Sequence, residues 1–148
     1  MPRIRVSTTL PAPPAAVWAS VSDLASHVDW MADAESIRFT TRRRAGVGTA
    51  MEVATKVGPF RLTDVLEVTE WRPRRAIGVR HAGIVGGTGR FTLRRRWLRP
   101  GTTRFTWEER LVFPPWLGGP LGAAVAAPVL REVWRRNLGR LRANFVTR

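Results

Sequence analysis

The sequence predicts an α+β domain built on an antiparallel sheet of seven strands. Three observations lead there. Short alternating runs follow one another through most of the 148 residues with only turn residues between them, two short helical stretches interrupt the series after its first run, and one long amphipathic helix closes it.

Arg3 to Leu10 alternates Ile4, Val6 and Thr8 against Arg5, Ser7 and Thr9, the period of a half-buried strand. Pro11, Pro13 and Pro14 end it, and Pro14 fits the first turn of a short helix carrying Val17, Trp18 and Val21. Ser22 or Asp23 can cap a second helix running to Trp30 and Met31. Six strands are then expected over residues 37–44, 51–57, 60–71, 74–81, 89–98 and 102–113. Their separators, among them Gly58-Pro59, Arg72-Pro73, Gly86-Gly87 and Pro100-Gly101, are short enough to favour an antiparallel meander. Pro120 to Phe145 is the long helix. Its apolar stripe offers Ala123, Ala126 and Ala127 in the first half and Leu130, Trp134, Leu138, Leu141 and Phe145 in the second. The small residues predict a hollow near the helix start, and Pro128 predicts a bend between the halves.

Composition narrows the function. The chain has no cysteine, which excludes disulfides and thiolate metal sites and suits a reducing compartment. Residues 1–6 carry no signal-peptide core and no run approaches the length of a membrane span, so a cytoplasmic, one-domain protein covering residues 1–148 is expected. The formal net charge is +14. Because Lys56 is the only lysine, the excess reads as a preference for arginine over lysine rather than a nucleic-acid-binding tail, and nucleic acid is not the expected partner. Neither a Ser-His-Asp spacing nor a phosphate-cradling glycine motif nor a metal-ligand cluster is present; Gly86-Gly87-Thr88-Gly89 precedes a strand and reads as a turn.

The phrase Pro11-Ala12-Pro13-Pro14-Ala15-Ala16-Val17-Trp18, followed by Val21-Ser22-Asp23-Leu24, His27, Asp29-Trp30-Met31 and Val47-Gly48-Thr49, resembles the START/polyketide cyclase/Bet v 1-like (SRPBCC) superfamily. Thr102 to Trp107 and the arginine-rich final helix fit the later part of its pattern. The resemblance implies a helix-grip fold, in which a curved sheet wraps the long helix and encloses a cavity for an apolar small molecule. It also implies a choice among lipid carriage, ligand sensing and cofactor-independent polyketide cyclase or dehydratase chemistry. Polyketide cyclases of this kind use a cavity arginine with a tyrosine or carboxylate to hold a poly-ketone and move its protons. This chain has no tyrosine, so it departs from that set.

Alternation alone assigns the inward faces. Glu109 shares one with Phe105, Trp107 and Leu111; Asp64 with Phe60, Leu62, Leu66 and Val68; Arg95 with Phe91, Leu93 and Trp97; His81 with Ile77 and Val79. Charged groups on apolar faces must pair or serve a ligand. Asp64, Arg95 and Glu109 either neutralise one another or, with His81, orient the polar end of a mostly apolar ligand. The candidate ligand-binding set is therefore Asp64, His81, Arg95, Trp107, Glu109, Ala123, Ala127, Leu130 and Trp134, with no metal, no cofactor and no catalytic residue assigned. His27 reads as a core histidine. Arg42 to Arg44, Arg94, Arg96, Arg131, Arg135 and Arg136 read as solvated, or else as the patch of a basic module that binds nucleic acid, an acidic protein or, transiently, an anionic membrane; Trp116 reads as core, gate or membrane anchor. A monomer or a homodimer fits this reading.

Overall fold

The structure, a computed structural model, describes residues 3–146. Strand β1 (Arg3–Leu10) leads into helix α1 (Pro14–Val21), a 3-10 helix over Leu24–Asp29, and strands β2 (Ala34–Phe39), β3 (Ala50–Val57), β4 (Phe60–Arg72), β5 (Ala76–Ala82), β6 (Gly86–Arg95) and β7 (Thr103–Val112). A short 3-10 turn at Pro115–Leu117 precedes helix α2 (Gly119–Val146). All seven strands form one antiparallel sheet in the order β1-β7-β6-β5-β4-β3-β2, so β1 closes onto the last strand while β2 to β7 run as a meander. The expected fold class is the observed one.

The boundaries differ in instructive places. Strand β2 begins at Ala34, before the expected Ile37, and Thr40 to Thr49 form a loop instead of extending the strand. Strand β6 begins at Gly86, so Gly87 and Gly89 are ladder residues opposite His81 and Val79 rather than a turn. The expected cap by Ser22 or Asp23 is not made; the Ser26 hydroxyl instead donates to the Asp23 carbonyl at 2.7 Å. Helix α2 runs through Pro128 without interruption. Pro128 and Ala124 are both exposed, so the carbonyl that the missing N–H leaves free is on the solvent side of the helix.

Two cores divide the concave face. Helix α2 covers β1 and β7, enclosing Ile4, Val6, Phe91, Leu93, Phe105, Trp107, Trp134, Leu138 and Leu141. The 3-10 helix Leu24–Asp29 and Trp18 of α1 cover the β2–β5 side, over Met51, Val53, Val68 and Ile77. A bulge in β4 between Val68 and Glu70 keeps Val68 and then Trp71 inward, and leaves Glu70 outside to pair with Arg90 at 2.6 Å.

Meander connectivity also sorts the loops. The β2–β3, β4–β5 and β6–β7 connections lie at one end of the sheet with the end of β1 and the last turns of α2, where Arg142 Nε donates to the Thr9 carbonyl. The β3–β4 and β5–β6 turns lie at the other end with the start of α2. Among the described residues no helix is long and apolar enough to cross a membrane.

Candidate functional site

Three of the charged residues assigned to inward faces meet. His81 on β5 contacts Asp64 on β4 through Nδ1 at 3.0 Å and Glu109 on β7 through Nε2 at 2.6 Å, and Trp107 Nε1 donates to the other Glu109 oxygen at 3.0 Å. Reaching from β5 to β7 requires passing over β6. The two β6 residues in the way, opposite His81 and Glu109 in the ladder, are Gly87 and Gly89. A Cβ on Gly89 would lie 2.6 Å from the Glu109 carboxyl carbon, far inside contact distance. Gly87, at φ +117°, holds a backbone conformation that favours glycine, and a Cβ there would overlap the Arg110 carbonyl. These glycines make room for the cluster and were missed by pattern reading, because a glycine pair next to a hairpin looks like its turn.

Both ring nitrogens of His81 face carboxylate oxygens, which accept only, so the ring donates from both as an imidazolium. Burial works against that charge, but the hydrogen bonds and charges of Asp64 and Glu109 outweigh it and hold His81 at about 10. With two carboxylates around one imidazolium, the cluster is formally one unit negative. It lies where the two cores meet: Trp107 and Leu111 belong to one, Leu66 and Val79 pack on the other. The His81 and Glu109 side chains are 8% and 9% exposed, whereas Asp64 is 25% exposed and forms the edge that solvent reaches.

The remaining candidates divide. Trp107 and Trp134 stack with centroids 4.9 Å apart, joining β7 to α2. Trp134 Nε1 also donates to Asp33 at 3.2 Å, and the fully buried Asn137 donates to the same carboxylate at 2.7 Å, a latch between α2 and the segment before β2. Leu130 is half-buried against the core. Ala123 and Ala127 are 3% and 7% exposed, so the helix closes tightly at its small residues and the hollow expected above them is filled.

Arg95 requires correction. It has the inward parity, opposite Thr103, but stands at the last position of β6, exposed, with its guanidinium over the Trp97 ring at 5.7 Å. Six residue steps along β7 lead from Thr103 to Glu109, roughly 20 Å of strand, so Arg95 takes no part in the charged cluster. Trp97 is 85% exposed on the hairpin rather than inward, and Phe60, at the first position of β4, is 70% exposed. Trp116 is 70% exposed and is not core. Arg135 and Arg136 pair with Glu132 along α2. His27 is a core histidine: its Nε2 donates to the Val21 carbonyl at 2.7 Å, and burial lowers its pKa, keeping the ring neutral.

Trp30 lies outside the candidate set, yet it packs beside Trp107 and Phe91 with no acceptor among the described residues for its buried Nε1. An unsatisfied buried N–H costs about 1–3 kcal/mol. Among the described residues no group of three or more ligating side chains is arranged to hold a metal ion. Two open concavities, of about 410 and 270 Å³, lie on the outer face of the sheet; the larger is bordered by Arg5, Arg94 and Arg104.

The curved antiparallel sheet and the long C-terminal helix packed against it define a helix-grip domain. Residues 1–146 match the family described as "Polyketide cyclase / dehydrase and lipid transport", and the chain belongs to that family. Among solved structures it is similar to a START superfamily protein from Mycobacterium smegmatis, at 11% identity and a TM-score of 0.79 over 97% of each chain. It is similar too to a protein from Thermus thermophilus, at 18% identity and a TM-score of 0.76 over 98% of this chain and 97% of that one. The Zhui aromatase/cyclase from Streptomyces sp. R1128 matches at 19% identity and 0.70, over 96% of this chain and 89% of that one. At these identities the likeness concerns the fold. Among curated proteins there is no sequence match.

Proposed function

We propose that this protein binds a mostly apolar small molecule that carries a hydrogen-bond donor at one end, seating that end against Asp64 where the two cores meet. The observation that carries the reading is the Asp64–His81–Glu109 cluster, a charged group set among apolar side chains and open to solvent at one edge. Half-buried Leu62, Leu66 and Val79 on the adjoining strands supply apolar surface beside it. Because the cluster is one unit negative and Arg95 is remote, it favours a hydroxyl, phenol or amine over a carboxylate.

Carriage or sensing is favoured over catalysis by the state of His81. A general base works best with a pKa near the operating pH, and a histidine held at about 10 between two carboxylates keeps its proton near neutrality. The family's cyclase and dehydrase chemistry is the second reading, supported by the family description and by a fold shared with an aromatase/cyclase. Native mass spectrometry of freshly purified protein, followed by extraction and incubation of any bound molecule with the protein, tests both. An apolar molecule with a donor end, recovered unchanged, supports binding. Its conversion would establish the enzyme, and absence of both co-purification and binding of added long-chain alcohols or phenols would remove the proposal.

A further inference from the structure

We propose that the β6–β7 end of the sheet docks on the surface of an anionic lipid membrane, with the β6–β7 hairpin inserted. The antiparallel meander places three arginine-bearing loops at this one end. The β2–β3 loop brings Arg42-Arg43-Arg44, the β4–β5 turn brings Arg74-Arg75, and the β6–β7 hairpin brings Arg94-Arg95-Arg96 and Arg99. None of these arginines forms an ion pair among the described residues, in contrast to Arg38, Arg80, Arg90 and Arg136 elsewhere. No aspartate or glutamate occurs between Trp71 and Trp107, so the positive field of the turn and the hairpin has no acidic residue of its own segment to offset it.

The charge frames a protruding apolar tip. Trp97 and Leu98 are 85% and 97% exposed, side by side, with Arg96 before them and Arg99 after. Arg95 lies over the Trp97 ring, which holds the indole against the arginine cluster. A tryptophan at headgroup depth with an aliphatic neighbour reaching the acyl boundary and arginines in the phosphate layer is the distribution that a bilayer interface selects. Nucleic acid would use the arginines and stack on Trp97, but would give Leu98 no role. In this orientation the Asp64–His81–Glu109 cluster, towards the β5–β6 end, faces away from the lipid. The docked end is a tether, and the ligand site stays in water. The exposed stripe of Trp116, Leu121 and Val125 lies at the start of α2, at the opposite end, and makes no contact with the bilayer.

The test is co-sedimentation of the full chain with vesicles of phosphatidylcholine alone or mixed with phosphatidylglycerol, in 150 mM salt. Saturable binding to the anionic vesicles only is expected. Trp97→Ser with Leu98→Ser should weaken it at least tenfold, Arg94→Gln, Arg96→Gln and Arg99→Gln about fivefold each, and Trp116→Ala not at all. Arg94, Arg99, Trp97, Leu98 and Trp116 are exposed and Arg96 is half-buried, and matching thermal melts confirm that the variants are folded. Absence of binding to anionic vesicles overturns the proposal. So does retention of full affinity by the Trp97/Leu98 variant, loss on Trp116→Ala, or binding to single-stranded RNA that is tighter than to vesicles and insensitive to Leu98→Ser.

Discussion

His81 donates through Nε2 to Glu109 at 2.6 Å although β6 runs between their strands, because the β6 residues beneath the contact are Gly87 and Gly89. The charged cluster thus depends on two residues that contribute no side chain. Their absence of volume is what lets β5 and β7 communicate across the concave face.

Gly89→Ala should therefore displace the Glu109 carboxylate and cost about 2 kcal/mol in chemical denaturation, by breaking hydrogen bonds to a charged group. In a Glu109→Ala background the same change should cost much less, since the carboxylate it collides with is gone. Gly87→Ala meets backbone, not a side-chain tip, and should be destabilising in both backgrounds. Equal costs for Gly89→Ala with and without Glu109 would contradict the arrangement.

The elevated His81 pKa has a definite sign in stability. A folded-state value of about 10 against an ordinary 6.5 means that the protonated ring favours the fold. That contribution is complete below pH 6.5 and is lost as pH rises towards 10. Unfolding free energy should fall over this interval by on the order of 3 kcal/mol, less than the full shift implies because Asp64 is partly solvated. His81→Gln should lack most of that slope when the two proteins are compared from pH 6.5 to 10. A wild-type protein as stable at pH 10 as at pH 6.5 would show that the ring is not held as a cation.

Asp33 should matter to stability while lying outside the charged cluster. It accepts from Trp134 and from the fully buried Asn137, whose own oxygen accepts from the Ala32 amide at 3.0 Å. Asp33→Ala leaves both donors without that acceptor and should cost about 3 kcal/mol, with Asp33→Asn restoring part of it. Unchanged urea midpoints for both variants would mean that α2 is held by apolar packing alone.

Much of the fold was legible because antiparallel strands announce themselves by alternation and short turns. The same alternation placed Asp64, His81 and Glu109 on the inward side of three strands, and the sheet brings them together. Alternation gives a side of the sheet but not a depth, which is why Arg95 and Trp97 carried the right parity and yet stand where β6 runs out into its hairpin. Nor does it show what lies opposite: Ala123 and Ala127 predicted space, whereas the helix approaches closely at small residues and fills it. The role of Gly87 and Gly89 was hidden for a related reason, since glycine marks both turns and close passages, and only the cross-strand register distinguishes the two. Trp30, among apolar residues in the sequence, showed no sign that its N–H would be buried without a partner.

The central claim is that Asp64 receives the polar end of an apolar ligand, and a matched pair of probes addresses it most directly. Calorimetric titration of a long-chain alcohol and the carboxylic acid of equal length into the wild-type protein should give binding of the alcohol at least tenfold tighter than the acid. Asp64→Asn, which removes the negative charge, should narrow that preference. Tighter binding of the acid, or an alcohol preference untouched by Asp64→Asn, would contradict the account.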